Sequence, residues 1–275
     1  MVQALLTPVA HSIPFPRQRT ADFPYFPAAV SLPPTVSVVI PALNEEENLR
    51  YVLPRIPAWV HEIILVDGRS TDRTVQVARQ LRPEIVIVEE FRRGKGAALQ
   101  AGFEAASGDI IVMLDADGST DPCEIPLFVS ALLAGADFCK GSRFLQGGGT
   151  ADMSFIRQLG NWVLTLCVRL LFGGRYSDLC YGYNAFWRRV LPQLDPDADG
   201  FEIETLLNVR AARKGLRVAE VPSFEHPRMY GESHLNALRD GLRVLFTILR
   251  EGLQPTAGPL AQPAPIAAGH LTRIK

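Results

Sequence analysis

Residues 110–122 read IIVMLDADGSTDP, and the organisation of the chain is decided there. Four apolar residues and Leu114 run into Asp115, Ala116 and Asp117, then into Gly118, Ser119, Thr120, Asp121 and Pro122, which neither a strand nor a helix interior favours. The stretch reads as a buried strand, Ile110 to Leu114, ending in carboxylates. Side chains alternate along a strand, so Asp115 and Asp117 point the same way if the extended geometry persists, and two hard oxygen donors can then grip one divalent cation. The plainer alternative is that the two aspartates cap a turn.

The chain before this stretch repeats one pattern. Val36 to Ile40 is β-branched and suits a strand covered on both faces, closed by Pro41. Asn44 with Glu47 three places on forms a capping-box pattern for a helix running toward Leu53. A second strand, Glu62 to Val66, ends at Asp67 and is followed by the amphipathic run TVQVARQL. A third, Ile85 to Val88, leads through Arg92-Arg93-Gly94-Lys95-Gly96 into the Ala-rich helix AALQAGFEAA. Strands alternating with helices predict right-handed crossovers and a mostly parallel sheet, an α/β fold whose ligands gather beyond the carboxyl ends of the strands. Asn44, Asp67 and Asp115 all fall at such ends, and three polar loops facing one crevice favour a ligand over a turn cap.

Composition bounds the rest. The chain has 275 residues, 47% of them apolar, enough for an ordinary folded core. A formal net charge of −1 gives no global attraction to nucleic acid, and no nucleic-acid motif is present. Cys123, Cys139, Cys167 and Cys180 are widely spaced without a C-x-x-C pair, which argues against a zinc site and a disulfide framework, so a reducing cytoplasm is the simplest compartment. Residues 1–34 are rich in proline and read as a poorly ordered leader without the pattern of a secretory signal; 35–253 form the folded domain, and 254–275 a Pro/Ala-rich tail expected to trail in solvent.

PALNEEENL (41–49), VDGRSTDRT (66–74), RRGKGAAL (92–99) and LDADGSTDP (114–122), in that order, resemble family 2 glycosyltransferases of the GT-A fold. The resemblance implies an enzyme that moves a hexose from a UDP- or GDP-sugar with inversion at the anomeric carbon, using Mg²⁺ or Mn²⁺ at Asp115 and Asp117. It places Pro41, Ala42, Glu45 and Asp67 around the nucleoside, Lys95 near the base or diphosphate, and Ala116 in the donor site. One departure stands out: many relatives carry a second acidic residue after the position of Asp67, where this chain has Gly68. The following Arg69 is expected to be solvated.

Beyond the metal motif, EIPLFVSALLAG reads as a helix and ADFCKGSRF as a strand with a polar turn. Lys140 and Arg143 stand beside the proposed site, and Gly141-Ser142-Arg143 matches a segment of the same family that precedes a flexible cover over the donor, which implies Arg143 in the donor site; Gly147 to Gly149 suit either such a lid or a plain surface loop. Leu159 to Phe172 is apolar but short of the ~20 residues that span a bilayer and is interrupted by Arg169, so it is expected to be a core or interfacial helix and not a transmembrane one. SDLCYGYNAFWRRVL corresponds to the family's acceptor side, with its aromatics expected mainly to pack. In DGFEIETLL, Glu202 and Glu204 compete for a catalytic base position, and their spacing on a helix keeps them from facing the same side.

HPRMYGES (226–233) resembles the R-x-x-G-x-S segment of polyprenyl-phosphate sugar transferases, which implies that Arg228 and Ser233 contact phosphates. The implied acceptor is a polyprenyl monophosphate. The alternatives are a soluble hydroxyl acceptor, such as a small metabolite or a cell-wall or antibiotic precursor, and a non-catalytic sugar-nucleotide-binding subunit. LNALRDGLRVLFTILRE is an amphipathic helix suited either to packing on the domain or to peripheral contact with an anionic leaflet.

Overall fold

A computed structural model describes residues 33–231 and 237–254; the leader up to residue 32, the tail from residue 255, and Ser233 lie outside the described residues. The elements are β1 (Val36–Ala42), α1 (Glu46–Arg55), β2 (Glu62–Asp67), α2 (Thr74–Leu81), β3 (Val86–Glu89), α3 (Lys95–Ala105), β4 (Ile110–Met113), α4 (Ile125–Leu133), β5 (Phe138–Ser142), β6 (Gly149–Thr150), α5 (Phe155–Phe172), β7 (Asn184–Trp187), α6 (Leu191–Leu194), α7 (Glu202–Arg213), β8 (Val218–Pro222), β9 (Phe224–Glu225) and α8 (Ala237–Leu253). The main sheet has the order β3-β2-β1-β4-β7-β5-β8. All its strands run parallel except β7, which is antiparallel to both β4 and β5.

Period-two alternation explains how one sheet supports two cores. On one face Val38, Ile40, Leu65 and Val112 meet Leu49 and Val52 of α1 and Phe128 of α4. On the other, Val39, Ile64, Val66 and Ile111 meet Leu99 and Phe103 of α3 and Leu206 of α7. A third cluster joins α5, α7 and α8 through Leu164, Val168, Val209, Val244 and Ile248.

Two local expectations differ from the structure. The Asn44–Glu47 capping box does not form: α1 begins at Glu46, and Asn44 sits at φ 57° with its Oδ1 accepting from Thr71 N at 2.8 Å. Asn tolerates the left-handed region, and its side chain here ties the first loop to the second. The apolar helix expected from Leu159 starts earlier, at Phe155, capped by Ser154. It has the length and apolar composition of a membrane span, yet its Asn161 Oδ1 accepts from Leu179 N and Cys180 N, which fixes one face to the domain.

Candidate active site

The first four strands end side by side, and their loops build the site. Ala42 pairs in register with Asp67, and the carbonyl of Ala42 accepts from Gly68 N at 2.9 Å, so the residues around Pro41, Ala42 and Asp67 form one wall. Both Asp67 oxygens accept from Ser70 N, closing a tight turn that leaves Arg69 exposed at φ 68°.

Next to that wall lies an acidic platform. Extended geometry stops at the end of β4, and Asp115 and Asp117 engage different cations. Lys95, the first residue of α3, places Nζ 2.5 Å from Asp115 Oδ1 and 2.5 Å from Glu204 Oε1 at the start of α7. Arg228 lies 2.5 Å from Glu45 Oε1 and 3.3 Å from Asp117 Oδ2. The structure thus gathers Glu45, Lys95, Asp115, Asp117, Glu204 and Arg228, which come from five separate segments. Ala116, between the aspartates, is buried.

Electrostatics follow from the crowding. Burial pushes the Asp115 carboxyl up to about 6, with Lys95 opposing and Asp117 and Glu204 adding to the rise. Burial likewise raises Glu45 against the opposing bonds of Arg228 and Asn48. Burial alone would favour loss of the Lys95 proton, but Asp115 and Glu204 overcome it and hold the ammonium more firmly than in water. Four carboxylates against two cations leave an excess of two negative charges, and all the donors are hard oxygens. Hard oxygens of this kind are the donors Mg²⁺ and Mn²⁺ take, but among the described residues no three His, Cys, Asp or Glu side chains converge as a ready metal site, and Asp115 and Asp117 each engage a cationic side chain.

Glycine permits the approach of α3 to α7. A Cβ on Gly96 would collide with the backbone of Ala198 and Asp199, whose Asp199 carbonyl instead accepts from Gly96 N at 2.7 Å and Ala97 N at 3.1 Å. The competition between Glu202 and Glu204 is resolved by direction: Glu204 reaches Lys95, whereas Glu202 turns back toward Gly200 N.

Other expected residues lie apart from the platform. Arg143 is buried and donates to Asp178 through Nε at 2.6 Å and to Glu225 through Nη1 at 3.0 Å, its guanidinium 4.8 Å from the Tyr181 ring centre. Burial works against its charge, and Asp178 more than compensates. Lys140 is also fully buried, donating to the Tyr181 carbonyl at 2.6 Å. Tyr176, Tyr181, Tyr183 and Phe186 are all buried in packing roles. The glycine-rich segment is tied down by pairing of β6 with β9, directly ahead of Arg228.

Three residues of the site carried no functional expectation. Asn48 Oδ1 accepts from Tyr230 N at 2.9 Å and its Nδ2 donates to Tyr230 O at 3.1 Å, while Met229 N donates to Asp117 O at 3.1 Å. Residues 226–231 are therefore strapped across the crevice between α1 and the metal motif. The available sequence signal was a polar residue, Asn48, beside Leu49 on the apolar side of α1, where it is 2% exposed.

Comparison with known proteins agrees with this geometry. The family model described as Glycosyl transferase family 2 matches residues 37–194. A dolichol-phosphate mannosyltransferase of Pyrococcus furiosus is 33% identical over 224 residues, covering 78% of this chain and 62% of its own length. A polyprenol monophosphomannose synthase of Mycolicibacterium smegmatis is 34% identical over 224 residues, covering 76% of this chain and 84% of its own. Among solved structures, glucosyl-3-phosphoglycerate synthase of Mycobacterium tuberculosis, in complex with Mn²⁺, UDP and glucosyl-3-phosphoglycerate, superposes with a TM-score of 0.64 at 29% identity, covering 82% of each chain. The sheet and its flanking helices are of the GT-A type.

Proposed function

The chain belongs to glycosyl transferase family 2, and from that premise we propose that it moves a hexose from a UDP- or GDP-sugar to a polyprenyl monophosphate with inversion. The observation that carries this is the platform on which Asp115, Asp117 and Glu45 meet Lys95 and Arg228 beyond the strand ends. The names of two relatives, a dolichol-phosphate mannosyltransferase and a polyprenol monophosphomannose synthase, support the acceptor class.

Pro41, Ala42, Glu45 and Asp67 would surround the nucleoside, Lys95 would lie near the base or diphosphate, and Arg228 would face the diphosphate. Mg²⁺ or Mn²⁺ held by Asp115 and Asp117 would supply positive charge to the departing nucleoside diphosphate, a choice supported by the Mn²⁺ and Mg²⁺ complexes of the structural neighbour. Arg228 adds a guanidinium matched to phosphate geometry. Ser233 is proposed beside it from the R-x-x-G-x-S pattern. A phosphate acceptor is already anionic at neutral pH, so Glu204 need not remove a proton, and its bond to Lys95 fits a residue that positions the ammonium. Arg143, expected in the donor site, is held by Asp178 and Glu225 apart from the platform, so its part would be to keep that region of the fold in place.

A second reading, transfer to a soluble hydroxyl acceptor, is favoured by the resemblance to glucosyl-3-phosphoglycerate synthase. There Glu204 would act as the base, which a hydroxyl requires. The deciding experiment incubates the protein and Mn²⁺ with a panel of UDP- and GDP-sugars, with polyprenyl phosphate or with soluble acceptors, and follows released nucleotide and product mass. Transfer to the lipid phosphate, lost in Asp117→Asn with the fold retained by circular dichroism, is expected. Turnover on a soluble hydroxyl acceptor and none on the lipid phosphate would overturn the first reading in favour of the second.

A further inference from the structure

Segment 195–200 connects α6 to α7, and on its way it grips the first turn of α3. The Asp199 carbonyl takes the amides of Gly96 and Ala97, two of the N–H groups that a helix leaves without an internal partner at its amino end. Gln100 Nε2 donates to the Ala198 carbonyl at 2.8 Å, one turn further along α3. Ala198 and Asp199 therefore fix the amino end of the helix that carries Lys95, and the chain then runs on directly into α7, which carries Glu204. Both ends of the Lys95–Glu204 bond depend on where this segment lies.

The segment is held by one buried guanidinium. Arg210 of α7, 7% exposed, donates to the carbonyls of Leu194, at 3.2 Å, and Asp195, and pairs with Asp197 at 2.9 Å. Asp195 stands at φ 42°, a left-handed backbone that a residue other than glycine keeps only when its surroundings impose it. From the other side Glu251 of α8, 1% exposed, accepts from Arg210 Nη2 at 3.0 Å and fixes the direction of the fork.

We propose that Arg210 is a positioning residue of the donor site, setting the place of Lys95 and Glu204 through the backbone of 195–200, with Glu251 making α8 part of the same linkage. The inference deepens the proposed transfer and rests on its assignment of Lys95 to the donor. Arg210 acts through Asp199 and the first turn of α3 and not by contact with substrate.

The test compares the full chain with Arg210→Lys and Asp197→Asn. Lysine keeps a charge beside Glu251 but lacks the fork that spans the carbonyls and carboxylates. Asp197 is exposed, so Asp197→Asn should fold as the parent does even if Arg210→Lys does not. Deuterium exchange is followed amide by amide without ligand, and binding of UDP and GDP with Mn²⁺ is measured by calorimetry. In Arg210→Lys the Gly96 and Ala97 amides should exchange at least about tenfold faster while those of β1 and β2 keep the parent rate. The nucleotide that the parent binds should bind about fivefold more weakly, and Asp197→Asn should move both readouts the same way by about twofold. Faster exchange confined to α7 and α8, with the first turn of α3 and the affinity unchanged, makes Arg210 merely structural and overturns the proposal. Acceleration spread evenly over the sheet overturns it too. A parent that binds neither nucleotide overturns the donor reading, and this role for Arg210 falls with it; a parent that binds, with variants that match it, overturns the role alone.

Discussion

Replacing Lys95 with Met removes the ammonium that stands 2.5 Å from both Asp115 and Glu204. Two carboxylates sharing one cation at those distances lie within about 5 Å of each other, and at an effective dielectric near 20 their repulsion is about 3 kcal/mol. Removing one partner of a buried pair costs about 3–5 kcal/mol. The side chains here keep 10–25% of their exposure, so solvent and partial protonation of Asp115 relieve some of that cost. The expected loss of stability in the metal-free protein is about 2–3 kcal/mol. Mn²⁺ should then restore more stability to the variant than to the parent, because in the parent a cation at Asp115 must first displace Lys95. At a hundredfold excess over its dissociation constant a ligand adds about 2.7 kcal/mol. Urea denaturation with and without Mn²⁺, followed by tryptophan fluorescence, measures both effects. A variant as stable as the parent without metal, or one gaining no more than the parent from Mn²⁺, would refute the assignment of Lys95 as the internal counter-cation of the platform.

Arg143→Met takes from Asp178, which has no solvent exposure, its directly bonded cation, leaving only the field of Lys140 there and Arg157 at 3.9 Å from Glu225, and should cost about 3 kcal/mol in urea denaturation, the low end of the range for breaking a buried pair. Arg143→Lys should recover only part of it, because an ammonium cannot reproduce the fork that reaches both carboxylates. Acid should loosen α8. Burial alone would raise the Glu251 carboxyl, but Arg210 and Arg213 hold it below the ordinary carboxylate range. A group whose folded-state value is depressed contributes stability above its unfolded value and loses it as the pH falls through the folded one. The urea midpoint should accordingly begin to drop as the pH falls into the ordinary carboxylate range and keep dropping below it, and Glu251→Gln should flatten that slope at the cost of lower stability at neutral pH.

The early strands and helices were legible because their local signals agree with the fold. The run TVQVARQL matches α2 residue for residue, and β1, β2 and β4 lie within one or two residues of their expected ends. Buried parallel strands are apolar throughout and their loops are polar, so little competes with the reading. Antiparallel β7 was not legible. Asn184 to Trp187 lies in an aromatic segment whose place between β4 and β5 is set by long-range pairing and not by its own pattern.

The site was legible in its ingredients but not in its partnerships. Asp115, Asp117, Lys95, Glu45 and Arg228 were expected around a donor, yet a linear reading does not say that Lys95 bridges Asp115 to Glu204 or that Arg228 bridges Glu45 to Asp117. Asn44 misled because its spacing to Glu47 imitates a cap while the residue serves an interloop bond. Arg143 stands within a polar turn on paper, and only the packing of Asp178 and Glu225 around it reveals a buried charge.

The bond between Arg228 and Glu45 spans 183 positions, and the Asn48–Tyr230 pair nearly as many. Closing a loop of that size is slow and comes late, after the local units have formed. During synthesis, the crevice would therefore exist for some time as a half-built cup: the wall of Ala42 and Asp67 and the carboxylates of Asp115 and Asp117 emerge from the ribosome well before the strap that closes it. A chain interrupted before residue 228 would retain the carboxylates without the guanidinium. Its donor affinity would be correspondingly poor, and an unfinished polypeptide would not squander activated sugar on water.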